Sequence, residues 1–290
     1  MKIKLLACLL LLTQFLPAQK ATIKIDIERT ISEVDPKIYG VFMEPIQISG
    51  RRGLPDSPVI NTLYGNLYDP SSPLANEDGF RKDYIEAMKE LKVTNMRWPG
   101  GNFLMGYIWQ DGIGPKEQRP ARVNMAWGGI DNNHVGTDEW MKLNKAMGSE
   151  NVVCVNLGLG SIMDAAWWVE YCNYKGGTYF SNLRAKNGHK EPYKVKIWDL
   201  GNEVDGKPWE LGHKKVEDYI EVAREAAKAM LAIDNSIELV GCGSSWYSPN
   251  GWDDWNRQVL KGIGDKIKYL SIHSYWENAK EYNDYMGASA

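Results

Sequence analysis

Short runs that predict β-strands alternate along this chain with longer stretches that predict helices, and this alternation restricts the fold most strongly. Six apolar or β-branched runs predict strands, at 38–43, 93–98, 152–158, 195–200, 237–243 and 267–273. Five stretches predict helices, at 80–91, 138–147, 163–173, 216–233 and 252–261. Strands that alternate with helices form parallel sheets with crossover helices. The predicted fold class is therefore α/β.

Polar and aromatic residues follow four of these strands at the point where each strand ends. They are Glu44 after the first strand, Asn102 after the second, Asn202 and Glu203 after the fourth, and His273 with Tyr275 after the sixth. In a (β/α)8 barrel the active site is built from the loops at the carboxyl ends of the strands. We therefore predict a TIM-type barrel with these residues on one face. The long loop over 100–136 is predicted to shape the binding site.

The number of strands is too small for a closed barrel. Each strand–helix unit takes roughly 30 residues or more, so 290 residues with six predicted strands lack about two of the eight units. The chain is thus predicted to be the N-terminal portion of a barrel protein, in which residues 35–290 form a partial (β/α)8 barrel. A strand over 21–27, within a segment 20–34, is predicted to pair outside the barrel.

The N-terminus predicts an export signal over residues 1–19. Lys2 and Lys4 precede an apolar run at 5–12, and Pro17-Ala18-Gln19 forms a processing region. No later run is long and apolar enough to span a membrane, so no membrane association is expected after the signal is removed. The net charge of −3 without a basic tract argues against nucleic-acid binding. Whether the protein forms a homo-oligomer is left open.

The cysteines and histidines give no indication of a metal site. Cys154, Cys172 and Cys242 form no Cys-x-x-Cys pair and are predicted to be small buried residues, although a disulfide is left open. The four His residues lack the spacing of zinc ligands.

Glu203 is the strongest candidate for a catalytic residue. It follows Gly201 at a strand end with tryptophans nearby, and partial dehydration there would raise the pKa of its carboxyl group, as a general acid requires. The alternative is the capped start of a helix. Glu44 is predicted to bind a sugar hydroxyl, or else to be a surface residue before Pro45. His273 is predicted to donate a hydrogen bond to a catalytic carboxylate, or else to be a core histidine.

Other features fit a sugar site or a purely structural role. The 12 Trp and 15 Tyr residues suit stacking on sugar rings, although a large core also uses them. Gly100 and Gly101 allow a ligand to approach the backbone before the Asn102 amide. Two acidic pairs, Asp138-Glu139 and Asp253-Asp254, are predicted to start helices, the first capped by Thr137, rather than to take part in catalysis.

Together these motifs resemble the α-L-arabinofuranosidases of glycoside hydrolase family 51. The matching stretches begin at Tyr39, Arg97, Asp111, Arg119, Ala126, Gly136, Gly201 and His273, and they occur in order between Tyr39 and Tyr275. The resemblance implies that Glu203 is the acid/base and that Asn202 contacts the sugar 2-hydroxyl. It also implies that Glu44, Asn102 and Trp127 line an arabinose pocket, with His273 and Tyr275 near the nucleophile.

The resemblance further implies a retaining reaction on arabinose-containing polysaccharides or oligosaccharides, without metal or organic cofactor. The nucleophile of the family is a Glu at the end of the seventh strand, which is expected beyond residue 290. A C-terminal β-sandwich, to which the strand at 21–27 would belong, is expected there too. Two alternatives stay open: an endo-β-glucanase of the same family, and a non-catalytic sugar-binding or inactive fragment.

Overall fold

The computed structural model describes residues 24–48, 60–61, 67–207, 210–246 and 252–274. Six parallel strands form one sheet in the part of the chain that begins at Pro36. They are β1 (Val41–Phe42), β2 (Asn95–Trp98), β3 (Glu150–Val155), β4 (Ile197–Leu200), β5 (Glu238–Cys242) and β6 (Tyr269–Ser271). Each strand pairs with its neighbour in the sequence, and the sheet is a curled half barrel. The predicted six strands and the incomplete barrel are confirmed.

Six helices of at least eight residues lie between these strands in the described chain. They are α1 (Lys82–Glu90), α2 (Thr137–Met147), α3 (Ile162–Asn173), α4 (Tyr179–Lys186), α5 (Val216–Ile233) and α6 (Trp252–Ile263). Five were predicted, with bounds that agree within about two residues. Helix α4 was missed because it is short and largely polar, and because it follows the turn residues Gly176 and Gly177.

The main core lies between the sheet and its helices. It contains four fully buried tryptophans, Trp98, Trp140, Trp168 and Trp198. Trp98 stacks on Trp140 with 5.5 Å between ring centroids, and Trp168 meets both Trp98 and Trp198 edge-on. Much of the tryptophan content that suggested sugar stacking therefore belongs to the core.

The opposite face of the sheet lines the barrel interior. Side chains alternate between the two faces of a strand, so Ile197 and Asp199 point inward while Trp198 points to the helices. Ile197 packs there with Val152 and Val240, from the two neighbouring strands.

Helix α5 fixes the end of β4, from which the Glu203 loop starts. Its buried residues recur every three or four positions, as expected for an amphipathic helix. From this face the Tyr219 hydroxyl donates to Leu200 O at 2.9 Å and accepts from Cys242 N at 2.7 Å. One side chain thus satisfies backbone groups at the ends of both β4 and β5.

The loop over 100–136 is well structured. It contains three short 3-10 helices and an antiparallel pair, Arg122–Val123 with Ile130–Asp131. Arg119 is buried beneath it and donates to Gly114 O, Asn133 O and the Glu139 carboxylate. This interaction anchors the loop to the start of α2.

One sequence prediction needs correction. Helix α2 begins at Thr137, but Gly136 occupies the cap position, and the Thr137 hydroxyl instead accepts a hydrogen bond from Trp168 Nε1. Residues 24–27, the described part of the strand predicted at 21–27, are irregular, and Ile25 and Ile27 are exposed, so the pairing of this segment with a β-sandwich stays a prediction. The predicted signal at 1–19 lies outside the described residues.

The three cysteines among the described residues are free thiols, as the prediction of small buried residues requires. Cys154, Cys172 and Cys242 are all buried, and burial raises the pKa of each thiol. No helix within the described ranges has the length and apolar character needed to cross a membrane.

Candidate active site

Glu203 occupies a strained turn directly after β4. Gly201 has φ of 93° and Glu203 has φ of 48°, and the second value is uncommon for a residue with a side chain. The buried Val204 side chain and a hydrogen bond from Gly206 N to Glu203 O hold this turn. Such backbone strain costs on the order of 1 kcal/mol and tends to occur at functional sites. The turn places the Glu203 carboxyl group in a cavity instead of at a helix start.

Glu203 is paired with His273, which follows β6. His273 Nδ1 lies 2.8 Å from Glu203 Oε1, and the two side chains are 24% and 18% exposed. The backbone N–H of His273 donates to Ser244 O, which fixes the histidine against the end of β5. The ring nitrogen can donate to a carboxylate or accept from a carboxylic acid, so the pair can hold a proton at Glu203. The His273 side chain is 24% exposed and lines the same cavity as Glu203, so it does not belong to the core.

Asn202 is oriented from inside the barrel by Arg97. Arg97 Nη1 donates to Asn202 Oδ1 at 2.8 Å, which identifies the amide oxygen and directs Nδ2 to the other side. Asn202 Nδ2 lies 3.5 Å from Glu203 Oε2. The amide N–H group is therefore presented beside the Glu203 carboxyl group.

Glu44 is held from two directions in the loop after β1. Its Oε1 accepts hydrogen bonds from Phe103 N and from Trp127 Nε1, both at 2.8 Å. Glu44 is 8% exposed, so the interpretation as a surface residue is wrong. A methyl group on Gly101 would lie 3.0 Å from Glu44 Oε2 and 3.5 Å from Asn202 Nδ2. The carboxylate and the amide thus converge over a glycine that leaves space between them.

One cavity of about 1120 Å³ brings most of the predicted residues together. Its lining includes Glu44, Asn102, Trp127, Asn202, Glu203 and His273. Tyr275, the seventh predicted site residue, lies outside the described residues. The cavity also reaches Lys207 and Trp246, where the lysine ammonium lies 4.6 Å from the indole centroid.

The cavity contains additional acidic groups. Burial, together with the nearby Glu203 carboxylate, raises the pKa of Glu210. Asp205 accepts from Ser245 N at 2.8 Å and thereby joins the loops after β4 and β5. Within the described part of the chain, no group of three or more His, Cys, Asp or Glu side chains is arranged to hold a metal ion.

No role was assigned from the sequence to three groups that make hydrogen bonds at or beside this site. They are the Arg97 guanidinium, the Phe103 N–H and the Asn124 side chain. Arg97 could have been recognised because it is the single charged residue in the predicted strand at 93–98. Phe103 contributes only its backbone, and Asn124 lies in a loop whose folded form has no periodic signal.

The fold and the site define the class. This is a parallel α/β half barrel whose strand ends present carboxyl, amide and indole groups to one cavity, as in barrel enzymes that act on small polar substrates. The family model of the alpha-L-arabinofuranosidase 1 domain matches residues 87–287, and the chain belongs to this family. The resemblance to the glycoside hydrolase family 51 arabinofuranosidases is thereby confirmed.

Relatives and solved structures agree with this assignment. The chain is 44% identical over 260 residues to an intracellular exo-alpha-(1->5)-L-arabinofuranosidase of Acetivibrio thermocellus and to one of Bacillus subtilis, and each match covers 90% of this chain and 49% of the relative. A family 51 alpha-L-arabinofuranosidase from Bifidobacterium longum superposes with a TM-score of 0.81 at 34% identity, covering 89% of this chain and 50% of that one. The arabinose complex of the alpha-L-arabinofuranosidase from Thermotoga maritima superposes with a TM-score of 0.71 at 39% identity, covering 84% of this chain and 50% of that one. The chain spans about half the length of the curated relatives it matches.

Proposed function

We propose that this chain forms the arabinose-binding and acid/base part of an α-L-arabinofuranosidase. The observation that carries the proposal is the contact of 2.8 Å between Glu203 Oε1 and His273 Nδ1, in a cavity shared with Asn202 and Glu44. Relatives and solved structures that bear the name arabinofuranosidase support the same activity. Terminal arabinofuranose on plant polysaccharides or oligosaccharides is the proposed substrate.

The proposed mechanism is a double displacement with retention of configuration. Glu203 protonates the glycosidic oxygen as the leaving group departs, while a second carboxylate attacks the anomeric carbon and forms a glycosyl-enzyme. Glu203 then removes a proton from water, which attacks the same carbon and releases arabinose. His273 keeps the Glu203 carboxyl group in place through both steps.

The remaining cavity residues are proposed to bind the sugar. Asn202 Nδ2, fixed by Arg97, is suited to the sugar 2-hydroxyl, and Glu44 Oε2 to a second hydroxyl group. Asn102 and Trp127 are proposed to line the same pocket. Tyr275 stays a prediction as a residue near the nucleophile.

The nucleophile is proposed to lie beyond residue 290. Retention requires a second carboxyl group about 5 Å from the first. Glu44 already accepts hydrogen bonds from Trp127 and Phe103, so we assign it to sugar binding and not to the role of nucleophile. The half of the relatives that this chain does not span is the proposed source of the second carboxylate. Residues 35–290 would then form the first part of the catalytic barrel, and the β-sandwich would follow it.

The decisive experiment compares two leaving groups in Glu203 variants of the longer protein that includes the proposed nucleophile, since residues 1–290 alone are proposed to lack it. In Glu203→Gln, hydrolysis of an arabino-oligosaccharide should fall by about 1000-fold or more, because a sugar alkoxide leaves poorly without a proton. With an activated aryl α-L-arabinofuranoside, whose leaving group departs more readily without a proton, the rate of the first step should fall less. In Glu203→Ala, azide should restore turnover of the aryl substrate and give the retained glycosyl azide.

The control is Asp254→Asn, which changes an exposed carboxylate in the first turn of α6. It should keep the wild-type activity on both substrates. Equal losses in the Glu203 and Asp254 variants, or no hydrolysis by the longer wild-type protein that includes the proposed nucleophile, would refute the proposed function. The products would separate the alternatives: arabinose alone indicates exo action, whereas oligosaccharides from β-glucan indicate the endo-glucanase.

Export is proposed from the N-terminal sequence alone. Lys2, Lys4 and the apolar run at 5–12 have the composition of a secretory signal. The relatives from A. thermocellus and B. subtilis are named intracellular, which disagrees with export. Fractionation of the source cells with N-terminal sequencing of the mature protein would decide: a cytoplasmic protein that retains Met1 would refute it.

A further inference from the structure

We propose that Asn124 is a positioning residue that connects the loop carrying Trp127 to the loop carrying Glu44. This inference rests on the proposed function, because it concerns how the proposed arabinose pocket is assembled. Asn124 belongs to the loop over 100–136 and is 2% exposed. It does not line the cavity, so it would act only through the two residues that it holds.

The Asn124 amide makes hydrogen bonds in both directions. Its Nδ2 donates to Pro45 O at 3.0 Å, immediately after Glu44 in the chain. Its Oδ1 accepts from Ala126 N at 3.2 Å and from Trp127 N at 3.0 Å, which fixes the backbone of the turn that carries the indole. Both sides of the Trp127–Glu44 contact are therefore tied to one side chain.

The Asn124 backbone closes the same turn. Gly128 N donates to Asn124 O at 2.8 Å, and Asn124 N donates to Gly129 O at 3.0 Å. The turn thus has a fixed shape, and its position over the cavity depends on the bond to Pro45 O. A side chain with both a donor and an acceptor is needed, which an amide supplies and a carboxylate does not.

The consequence for the site is the placement of the Glu44 carboxylate. Trp127 Nε1 and Phe103 N together determine the position of Glu44 Oε1, and Oε2 then faces the space over Gly101. If the turn moves, Glu44 loses one of these two donors. Sugar binding should weaken more than the chemical step, because Glu203 and His273 are held by other contacts.

The first test observes the Trp127 indole N–H directly and does not require activity. A spectrum of the ¹⁵N-labelled protein contains the indole signals, and Trp127→Phe identifies the one to follow. Asn124→Ala and Asn124→Asp should both shift this signal and leave the others in place. Asn124→Asp keeps the acceptor for the turn amides but loses the donor to Pro45 O, so it tests the connection between the loops separately.

The second test measures hydrolysis of the aryl α-L-arabinofuranoside by the longer protein that includes the proposed nucleophile. Both Asn124 variants should raise KM by about tenfold and change kcat by less than about threefold. The control is Asn144→Ala, which removes a buried amide in α2 whose Nδ2 bonds to Trp140 O, away from the cavity. It should lower the thermal midpoint without moving either the indole signal or KM.

Several results would overturn the proposal. An unmoved indole signal in folded Asn124→Ala and Asn124→Asp would show a purely structural role. A wild-type signal and KM in Asn124→Asp would show that the bond to Pro45 O is irrelevant. If Asn124→Ala does not fold, the Asp variant alone decides. If the wild-type protein hydrolyses nothing, the proposed function fails, and the indole signal still decides whether Asn124 places Trp127.

Discussion

At the scale of single residues, Asp199 is a buried carboxyl group of the barrel interior with a perturbed pKa. Burial raises its pKa to about 6, although Arg97 Nε, 3.8 Å away, favours the charged form. Arg97 also donates to Asn202, so Arg97 connects the Asp199 carboxyl group to the candidate site. Because the native pKa lies above that of the unfolded chain, ionisation of Asp199 opposes folding as the pH rises through about 4 to 6.

Replacing Asp199 should therefore change how stability depends on pH. The free energy of unfolding of Asp199→Asn minus that of wild type should be about 2 kcal/mol larger at pH 7 than at pH 4, so the variant is relatively more stable at pH 7. Urea unfolding at both pH values measures this difference, whatever the cost of leaving Arg97 without its partner. The exposed Asp254→Asn serves as the comparison and should show no such trend. A difference that stays constant with pH would contradict the expectation.

Gly101 tests whether the space between Glu44 and Asn202 is used by a ligand. In Gly101→Ala the added methyl group would lie against both polar groups, so KM for the aryl arabinofuranoside should rise by about tenfold or more. Gly176→Ala is the matched control, because its methyl group would have no neighbour within 4 Å. A Gly101→Ala protein that melts cooperatively and keeps the wild-type KM would show that the sugar binds elsewhere.

At the scale of elements, the outer helices are joined by a buried polar cluster that sequence analysis did not anticipate. Asp138 in α2 accepts from the Tyr171 hydroxyl of α3 at 2.8 and 2.9 Å and from the Tyr193 hydroxyl at 2.7 Å. Burial raises the pKa of Asp138, and these hydroxyl groups oppose the shift. The prediction that Asp138 is structural agrees with this position behind the sheet, although it holds helices together more than it complements a helix dipole.

Removal of one hydroxyl group should weaken this connection measurably. Tyr193→Phe leaves the ring in place but removes a donor to a buried carboxyl group, which should lower the free energy of unfolding by about 1–2 kcal/mol. Tyr179→Phe, at an exposed position, should change it by less than about 0.5 kcal/mol. Chemical denaturation of both variants provides the measurement. Equal changes in the free energy of unfolding of the two variants would mean that the hydrogen bond from Tyr193 to Asp138 does not stabilise the fold.

At the scale of the whole molecule, the sheet determines how stability is distributed. Strands β3 and β4 each have a neighbour on both sides, whereas β1 and β6 have one neighbour each among the described strands. Phe42 and Ile272, in and after these outer strands, are more than half exposed. The outer strands therefore bury less apolar surface and share fewer backbone hydrogen bonds.

Native-state hydrogen exchange should reveal this gradient in the 290-residue chain. Amides of β3 and β4 should exchange at least about tenfold more slowly than those of β1 and β6, because local opening requires less free energy at the sheet edges. Peptide-resolved mass spectrometry follows the exchange. Equal protection across all six strands would contradict the expectation and show that β1 and β6 are covered.

The sequence by itself determined the order of strands and helices and the face on which the polar residues lie. These features are local, because strand alternation and helix periodicity are properties of consecutive residues, and strand ends in a parallel sheet share one edge. That is why Glu44, Asn102, Asn202, Glu203 and His273 could be assigned to one cavity before any contact was known. Helix α4 and the cap of α2 were missed because short elements and caps depend on few residues.

Only the tertiary structure decided which of these residues touch. Glu203 meets His273 across 70 positions of the sequence, Trp127 meets Glu44 across 83, and Arg97 meets Asn202 across 105. These pairs depend on sheet register and on the folded loop over 100–136, which local patterns do not encode. The sequence therefore determined the kinds of chemical groups at the site, whereas long-range packing determined their hydrogen bonds, because a contact of 2.8 Å requires both partners to be fixed by the rest of the fold.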